Sequence, residues 1–199
     1  MTHDIDCHVL TLPNTRMTWC DDCLDSLSGQ PVNIHVVAGI PGDYKASRAK
    51  GFTKGSAPFV SFVDSDDWAI AGAFSACLDA LRDTRLSMVW TCSYVADTAG
   101  RVTRSLNARR PHQLIVARRE AVAAVLQDGP MDDEALWNRV GPWGAVQKLP
   151  LFGYVWREHD GGHHRRKDAG ILADCKRTGE KKPARSGPGE SQLRDVRRP

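Results

Sequence analysis

Short apolar runs alternate with amphipathic stretches along the first 64 residues of the chain. Three runs rich in β-branched or aromatic residues, at 8–12, 33–37 and 59–63, end in proline, glycine or acidic turns, which is typical of buried strands. Stretches with helical periodicity at 17–27 and 44–54 separate them. This β-α-β-α-β order predicts parallel strands joined by crossover helices.

The alternation continues to about residue 157. The pattern predicts a helix at 71–82, a long strand at 87–95, and a hairpin turn at 97–101 that leads into another strand. The remaining predicted elements are a strand at 113–117, helices at 119–127 and 132–140, and a last strand at 152–157. We therefore expect an α/β fold with a mixed, mostly parallel sheet flanked by helices, built as one domain over residues 1–165.

An acidic cluster, Asp64, Ser65, Asp66 and Asp67, directly follows the third predicted strand. Charges that repel one another at the end of a buried strand commonly serve as ligands for a cation. Two carboxylates one residue apart can hold Mg²⁺ or Mn²⁺ and leave its other positions to a diphosphate. A polar turn is the alternative interpretation. The cluster lies at the carboxyl end of a parallel strand, where ligands collect, and this position favours the cation site.

Composition limits the class of protein. Of the 199 residues, 41% are hydrophobic, which is typical of a soluble globular domain. The first residues lack a signal-peptide pattern, and no run approaches the roughly 20 apolar residues of a membrane helix, so we expect a cytoplasmic protein. Six irregularly spaced cysteines favour reduced thiols. We interpret Cys20 and Cys23, a single CxxC pair, as part of the apolar stripe of a helix.

The end of the chain is basic. Residues 163–199 contain 11 Lys and Arg but only 5 Asp and Glu, and almost no large apolar residues. Such a segment cannot offset its ordering entropy by burial, so we expect a disordered tail over residues 166–199. Its charge would suit a polyanion such as DNA, RNA or an anionic membrane surface, or simply keep the protein soluble.

Four ordered motifs give the chain a family resemblance. The segment 10–16 with the helix at 23–30, the stretch 48–67 through the acidic cluster, the helix start at 132–139 and the closing segment 149–159 are similar to motifs of the inverting GT-A glycosyltransferases. The match is to the large glycosyltransferase family 2, whose members use nucleotide-diphosphate sugars. The resemblance implies a GT-A (Rossmann-like) fold and sugar transfer to an acceptor hydroxyl.

The resemblance also implies roles for particular residues. Asp66, Asp64 and His159 are the expected ligands of Mn²⁺ or Mg²⁺, and Asp133, preceded by Asp132, is the expected base for the acceptor proton. Asp132 and Asp133 also suit the first turn of a helix, and the two roles are compatible. The expected contacts of the nucleotide sugar, with a UDP-sugar favoured, are Pro13, Arg16, Asp43, Arg48, Lys50, Asp64, Ser65 and Arg157. The resemblance also makes His112 an acceptor-side candidate. Trp68, directly after the acidic cluster, and Trp143, in the glycine-rich turn at 141–144, are acceptor-side candidates from their positions in the sequence.

Two departures from the family pattern leave other functions open. Ala38 and Gly39 stand where the family has an acidic residue that binds the nucleobase, and Ala49 replaces an asparagine. The leading hypothesis is a metal-dependent transferase acting on a polysaccharide, a lipid or another small acceptor. One alternative is glycosylation of a hydroxylated base in DNA, as in phage DNA hypermodification. The other is a catalytically inactive nucleic-acid-binding protein with the GT-A fold.

Overall fold

The computed structural model describes residues 3–107, 114–127 and 139–160. Within these ranges the chain forms one eight-stranded sheet, four α-helices and a short 3-10 helix. The strands are β1 (Ile5–Thr11), β2 (Val32–Ala38), β3 (Phe59–Asp64), β4 (Trp68–Ala69), β5 (Leu86–Ala96), β6 (Val102–Leu106), β7 (Ile115–Arg118) and β8 (Ala145–Arg157). The helices are α1 (Met17–Leu27), α2 (Tyr44–Phe52), α3 (Ala73–Leu81), α4 (Arg119–Leu126) and the 3-10 helix Gly141–Trp143.

The first half of the chain is the predicted parallel unit. β1 lies between β2 and β3 and pairs with both in parallel, with α1 and α2 as the crossovers. Val9 lies level with Val36 of β2 and Val63 of β3 in this ladder. All three strands therefore end at the same edge of the sheet, and the acidic cluster lies at that edge.

The second half extends the sheet in mixed directions. The strand order is β2-β1-β3-β7-β5-β8-β4, with β6 on β5. β7 is antiparallel to both β3 and β5, and β8 is parallel to β5, so β5 and β8 run in the direction of β3. The carboxyl end of β8 consequently reaches the edge that carries the acidic cluster. This mixed α/β architecture confirms the predicted Rossmann-like GT-A fold.

Helices cover both faces of the sheet. On one face, Cys23 of α1 and Phe74 of α3 pack into a core that contains Val63. On the other face, Val122 of α4 packs into a core that contains Phe62. Neighbouring residues of β3 thus point to opposite sides, as the alternation of side chains along a strand requires.

A buried carboxylate joins β1 to the loop before β3. Asp6, 1% exposed, accepts hydrogen bonds from Asn33, His35, the Ala57 amide and the Arg119 guanidinium. Burial opposes ionisation of Asp6, but its hydrogen bonds with His35, the Ala57 amide and Asn33 outweigh this effect and hold its pKa below the usual value. The carboxylate therefore fixes the approach of the chain to β3.

Within the described residues, most predicted elements are present with ends shifted by a few residues, and one is wrong in extent. The predicted helix at 132–140 lies largely outside the described residues. The last strand begins at Ala145 rather than at 152. Between Lys148 and Phe152 the register against β5 shifts, and Pro150 lies in this irregular part, where a strand tolerates proline. The CxxC interpretation holds for Cys23, a buried free thiol. No helix in the described part of the chain is long and apolar enough to cross a membrane.

Candidate active site

The acidic cluster forms a tight turn at the carboxyl end of β3. The Ser65 amide donates to the Leu10 carbonyl at 3.2 Å, and the Asp67 amide donates to the Asp64 carbonyl at 3.1 Å. The first bond ties the turn to the end of β1, and the second closes the turn itself. Its carboxylates face different surroundings: the side chains of Asp64 and Asp66 are each 29% exposed, whereas Asp67 is 1% exposed.

Asp66 meets His159, which lies just beyond the end of β8. The His159 Nε2 atom is 2.7 Å from Asp66 Oδ2, and the imidazole also packs on the indole of Trp19, with ring centroids 4.9 Å apart. The His159 side chain is 17% exposed. The structure therefore brings together two of the three residues expected to bind a cation, and each retains some access to solvent.

Asp67 connects the turn to β8 instead of facing solvent. Its Oδ2 accepts a hydrogen bond from the Tyr154 hydroxyl at 3.0 Å, and its Oδ1 accepts one from the Arg157 amide at 2.7 Å. Burial, with the neighbouring charges of Asp66 and Asp64, raises the pKa of Asp67 well above its ordinary value, against the lowering effect of these two hydrogen bonds. Asp67 thus holds β8 against the turn.

Asp64 faces α2. Its side chain lies on the same side of β3 as Phe62, and Oδ1 is 4.0 Å from Nη2 of Arg48. The Arg48 guanidinium lies over the Phe62 ring, 5.0 Å from its centroid, and is mostly buried. The structure therefore places Arg48 beside the acidic cluster, in a long ion pair with Asp64.

The remaining residues near β1 and β2 that were predicted to contact the nucleotide sugar lie at the same edge of the sheet. Pro13 lies in the exposed loop after β1, and Arg16, at the start of α1, stacks on Trp19 at 4.5 Å. The Ser65 hydroxyl donates to Thr15 Oγ1 at 3.3 Å. Arg16 is exposed beside the cluster, whereas Ser65 is only 3% exposed, and contact of Pro13, Arg16 and Ser65 with a nucleotide sugar remains a prediction.

Asp43 and Lys50 flank α2 and have structural partners. Asp43 caps the helix, since its Oδ1 accepts a hydrogen bond from the Ala46 amide at 2.8 Å. Lys50 Nζ donates to the Ala38 carbonyl at 3.0 Å, at the end of β2. Asp43 and Lys50 are both exposed residues, so these contacts do not enclose their side chains. Their contact with a nucleotide sugar remains a prediction.

Arg157 does not occupy the position expected of a diphosphate ligand. The residue is 2% exposed, and its Nη2 donates to Asp22 Oδ2 at 2.7 Å. Its Cζ atom lies 4.9 Å from the ring centroids of both Trp19 and Trp68. The guanidinium is therefore enclosed between two indoles. The family resemblance gave Arg157 as a contact of the nucleotide sugar, whereas in the structure its guanidinium packs against the tryptophans.

The two acceptor-side tryptophans are also placed differently from the prediction. Trp68 is only 6% exposed, because it packs against Arg157 and a small core with Val155. Trp143 is 57% exposed but precedes β8, whose first residue pairs with Leu86 at the start of β5. β5 has eleven residues, and the ten steps between its ends rise about 3.3 Å each, so Trp143 lies on the order of 30 Å from the acidic cluster.

Three predicted residues lie outside the described residues. They are the expected base and its neighbour, Asp133 and Asp132, and the acceptor-side candidate His112. Residues 163–199, which carry the basic charge, are likewise outside.

The described residues fit a divalent cation only if a substrate and water supply part of its ligands. Within residues 3–107, 114–127 and 139–160, no three His, Cys, Asp or Glu side chains come together as ligands for one ion. Asp66 and His159 are an adjacent, partly exposed oxygen and nitrogen pair. Since Mg²⁺ is often bound through one or two carboxylates plus substrate phosphates, these residues fit a cation whose other ligands come from a diphosphate and water.

Trp19, Asp22 and Tyr154 surround the cluster and were not singled out from the sequence. Trp19 contacts Arg16, Arg157 and His159. Its position in the first turn of the helix after β1 was the available signal, because that turn lies at the carboxyl edge of the sheet. No pattern in the sequence pairs Asp22 with a residue 135 positions away.

Comparison with solved structures finds the same fold in nucleotide-using enzymes. The chain is similar to S. aureus TarS, a glycosyltransferase with a GT-A-like fold, with a TM-score of 0.57, 13% identity, and coverage of 79% of this chain and 37% of TarS. TarS 1-349 in complex with UDP-GlcNAc matches with a TM-score of 0.57 and 14% identity over 81% of this chain and 60% of that one. A complex of TarS 1-349 with UDP also matches.

A second kind of enzyme shares the fold. The 4-diphosphocytidyl-2C-methyl-D-erythritol synthase of Anaerococcus prevotii matches with a TM-score of 0.50 and 11% identity, over 87% of this chain and 97% of that chain. The present chain spans between 37% and 61% of the TarS structures it matches. No protein-family model and no curated protein matches the sequence. At such low identity these similarities show the fold alone.

Proposed function

We propose that the chain is an inverting glycosyltransferase that moves a sugar from a nucleotide-diphosphate donor to an acceptor hydroxyl. The observation that carries this proposal is the contact between Asp66 and His159, which joins the turn after β3 to the end of β8 in a GT-A fold. A site for a charged diphosphate is expected at this carboxyl edge of the sheet. UDP is the favoured nucleotide because TarS, which shares the fold, was solved with UDP-GlcNAc and with UDP.

The leaving group determines what the site must do. Transfer forms a bond between the acceptor oxygen and the anomeric carbon while the bond from that carbon to the diphosphate breaks, so negative charge grows on the diphosphate. A bound Mn²⁺ or Mg²⁺ would neutralise part of this charge. Asp66 and His159 would hold the cation, and Asp64, with Arg48 beside it, would contact the ribose or the cation.

The acceptor proton requires a base on the other side of the anomeric carbon. In-line attack delivers the sugar with inversion, and the proton of the acceptor hydroxyl passes to a carboxylate. By the family resemblance that carboxylate is Asp133. The same resemblance makes Asp132 its acidic neighbour.

We propose two classes of acceptor, one of them as the leading class. A polysaccharide, a lipid or another small hydroxyl compound is the leading class, and a hydroxylated base in DNA is the alternative favoured by the basic residues at 163–199. Incubating the protein with labelled UDP-sugars and with either glycan and lipid extracts or hydroxymethylated DNA separates the two. Label on DNA alone supports the alternative, and label on glycan or lipid alone excludes it.

A nucleotidyltransferase is the second candidate. The similarity to the Anaerococcus prevotii synthase covers nearly all of that enzyme, so the two chains are close in extent. Such an enzyme joins a nucleoside triphosphate to a phosphorylated acceptor and releases pyrophosphate. A glycosyltransferase instead releases a nucleoside diphosphate from a nucleotide sugar.

Product analysis decides between these functions. We expect the full chain with Mn²⁺ to release UDP slowly from a UDP-sugar, to release no pyrophosphate from CTP or UTP, and to be stabilised against heat by UDP with Mn²⁺. Pyrophosphate release would favour the second candidate. If no nucleotide stabilises the protein and no nucleotide sugar is consumed, the non-catalytic nucleic-acid-binding alternative gains support and the transferase proposal fails.

A further inference from the structure

Arg157 is a buried cation with an incomplete set of hydrogen bonds. Its Nη2 atom is paired with Asp22, but Nε and Nη1 have no hydrogen-bond partner among the described residues. Trp19 and Trp68 contact the guanidinium at 4.9 Å each. We call these four residues the tryptophan clamp. Burying a guanidinium costs free energy that indole faces and one carboxylate offset only in part, so a role beyond packing is expected of it.

The tryptophan clamp joins the two chain segments that carry the proposed cation ligands. Trp68 follows Asp66 by two residues, and Arg157 precedes His159 by two. The Arg157 amide, moreover, donates to the carboxylate of Asp67. A shift of the guanidinium would therefore move both segments at once.

The clamp also touches one ligand directly. The indole of Trp19 packs against the His159 imidazole with ring centroids 4.9 Å apart and an interplanar angle of 54°. The Nε2 atom of that imidazole reaches Asp66 at 2.7 Å. One face of His159 is thus restrained by Trp19 while its Nε2 edge points to the carboxylate. A histidine held in this way has little rotational freedom.

We propose that Trp19, Asp22 and Arg157 are positioning residues that hold His159 against Asp66 for binding of a divalent cation together with a nucleoside diphosphate. This inference rests on the proposed function. Arg157 acts through the position of the chain, and Trp19 acts through the imidazole ring. Residues that orient metal ligands without touching the metal typically change affinity or activity by about 10- to 100-fold when removed.

The site offers a mild variant with a matched control. Asp22 is 40% exposed in its side chain, so Asp22→Asn removes the negative charge that faces the guanidinium without opening the core. Asp25 lies on the same helix and is exposed, and Asp25→Asn makes the same chemical change away from the clamp. Trp19→Leu removes the aromatic contact, whereas Trp19→Phe retains an aromatic face.

The full chain is assayed for Mn²⁺ affinity at saturating UDP, for release of UDP from a UDP-sugar, and for the His159 imidazole resonances by NMR. We expect Asp22→Asn and Trp19→Leu to weaken Mn²⁺ binding about 10- to 100-fold and to shift the His159 resonances. Trp19→Phe should recover part of the affinity, and Asp25→Asn should match the wild type. The melting temperature is measured in parallel.

The outcomes distinguish failure of this inference from failure of the proposed function. If the variants melt at lower temperature but keep wild-type Mn²⁺ affinity and His159 resonances, the tryptophan clamp is only structural and the inference fails while the proposed function stands. If the wild type itself neither binds Mn²⁺ with UDP nor releases UDP from a donor, both fail. Parallel losses of affinity and His159 position, with partial rescue by Trp19→Phe, support the inference.

Discussion

His159 and Asp66 are 93 positions apart in the chain, yet the imidazole Nε2 lies 2.7 Å from the carboxylate Oδ2. The contact forms because β8 runs parallel to β5, so its end arrives at the same edge of the sheet as the end of β3. It converts two separate sequence motifs into one pair of neighbouring ligands.

Asp66→Asn should separate cation binding from folding. The amide keeps the shape of the side chain but removes its charge, so we expect Mn²⁺ affinity at saturating UDP to fall and donor turnover to drop on the order of 100-fold. Electron paramagnetic resonance of free Mn²⁺ measures the first effect. Asp79→Asn, at an exposed residue of α3 paired with Arg82, is the control. Equal Mn²⁺ binding in the wild type and Asp66→Asn would contradict the assignment.

Tyr154→Phe should weaken the link between the turn and β8. The Tyr154 hydroxyl donates to Asp67 and accepts from the Asp64 amide, so its loss leaves buried polar groups short of a partner. We expect a loss of about 1–3 kcal/mol in the free energy of unfolding, measured in urea. Tyr94→Phe, which keeps the ring stacked on Phe152, is a matched control and should cost less. Equal losses in the two variants would show that the hydrogen bonds of the Tyr154 hydroxyl add no more to the free energy of unfolding than the Tyr94 hydroxyl does.

His8 should make stability depend on pH. Its Nε2 donates to the Lys54 carbonyl, while Nδ1 is buried without a hydrogen-bond partner among the described residues, and burial lowers the pKa below 6.5. As the pH falls through 6.5 the unfolded chain takes up a proton that the folded chain does not. The free energy of unfolding should therefore decrease by up to about 1.4 kcal/mol per pH unit, until the folded His8 also becomes protonated.

The test of this pH dependence compares urea unfolding at several pH values between 7 and 5. His8→Gln can still donate to Lys54 but does not titrate, so its stability should change less with pH over this range. His3→Gln, at an exposed histidine, is the matched control substitution. A slope for His8→Gln as steep as that of the wild type would refute the explanation.

Two glycines with the same backbone conformation should tolerate alanine very differently. Gly55 and Gly29 have φ of +77° and +79°. A Cβ atom at Gly29 would meet nothing within 4 Å, whereas at Gly55 it would collide with the carboxylate of Asp6. Gly29→Ala should cost about 1–2 kcal/mol from the left-handed conformation alone. Gly55→Ala should cost clearly more in the free energy of unfolding, because the carboxylate must also move away from Ala57 and Arg119. Similar losses would contradict the steric argument.

The general fold could be predicted from the sequence because its signals are local. The runs at β1, β2 and β3 are bounded by turn residues and separated by periodic helices, so their order predicts a parallel unit. The extent of β8 could not be predicted in this way. Its first half contains Gln147, Lys148 and Pro150, which do not alternate as a half-buried strand should, and pairing with β5 organises it instead.

The sequence predicted site residues only where a cluster of charges or the order of the motifs indicated them. Asp66 and His159 belong to two motifs whose roles the family resemblance supplied, and the structure places them together. Arg157 and Trp68 were predicted to face ligands, yet they pack on each other, because the choice between solvent and an indole face depends on residues distant in sequence. Trp143 was predicted from proximity to a glycine-rich turn, which says nothing about which end of the sheet it occupies.

The enclosed guanidinium of Arg157 constrains how this chain can diverge. Exchanging Asp22 or either indole alone would leave a buried positive charge with fewer contacts, while exchanging Arg157 alone would leave a gap between two tryptophans. Each single step is therefore unfavourable, although a simultaneous replacement by apolar residues could pack well. Homologues that accumulate substitutions should keep positions 19, 22, 68 and 157 as a set or lose them as a set.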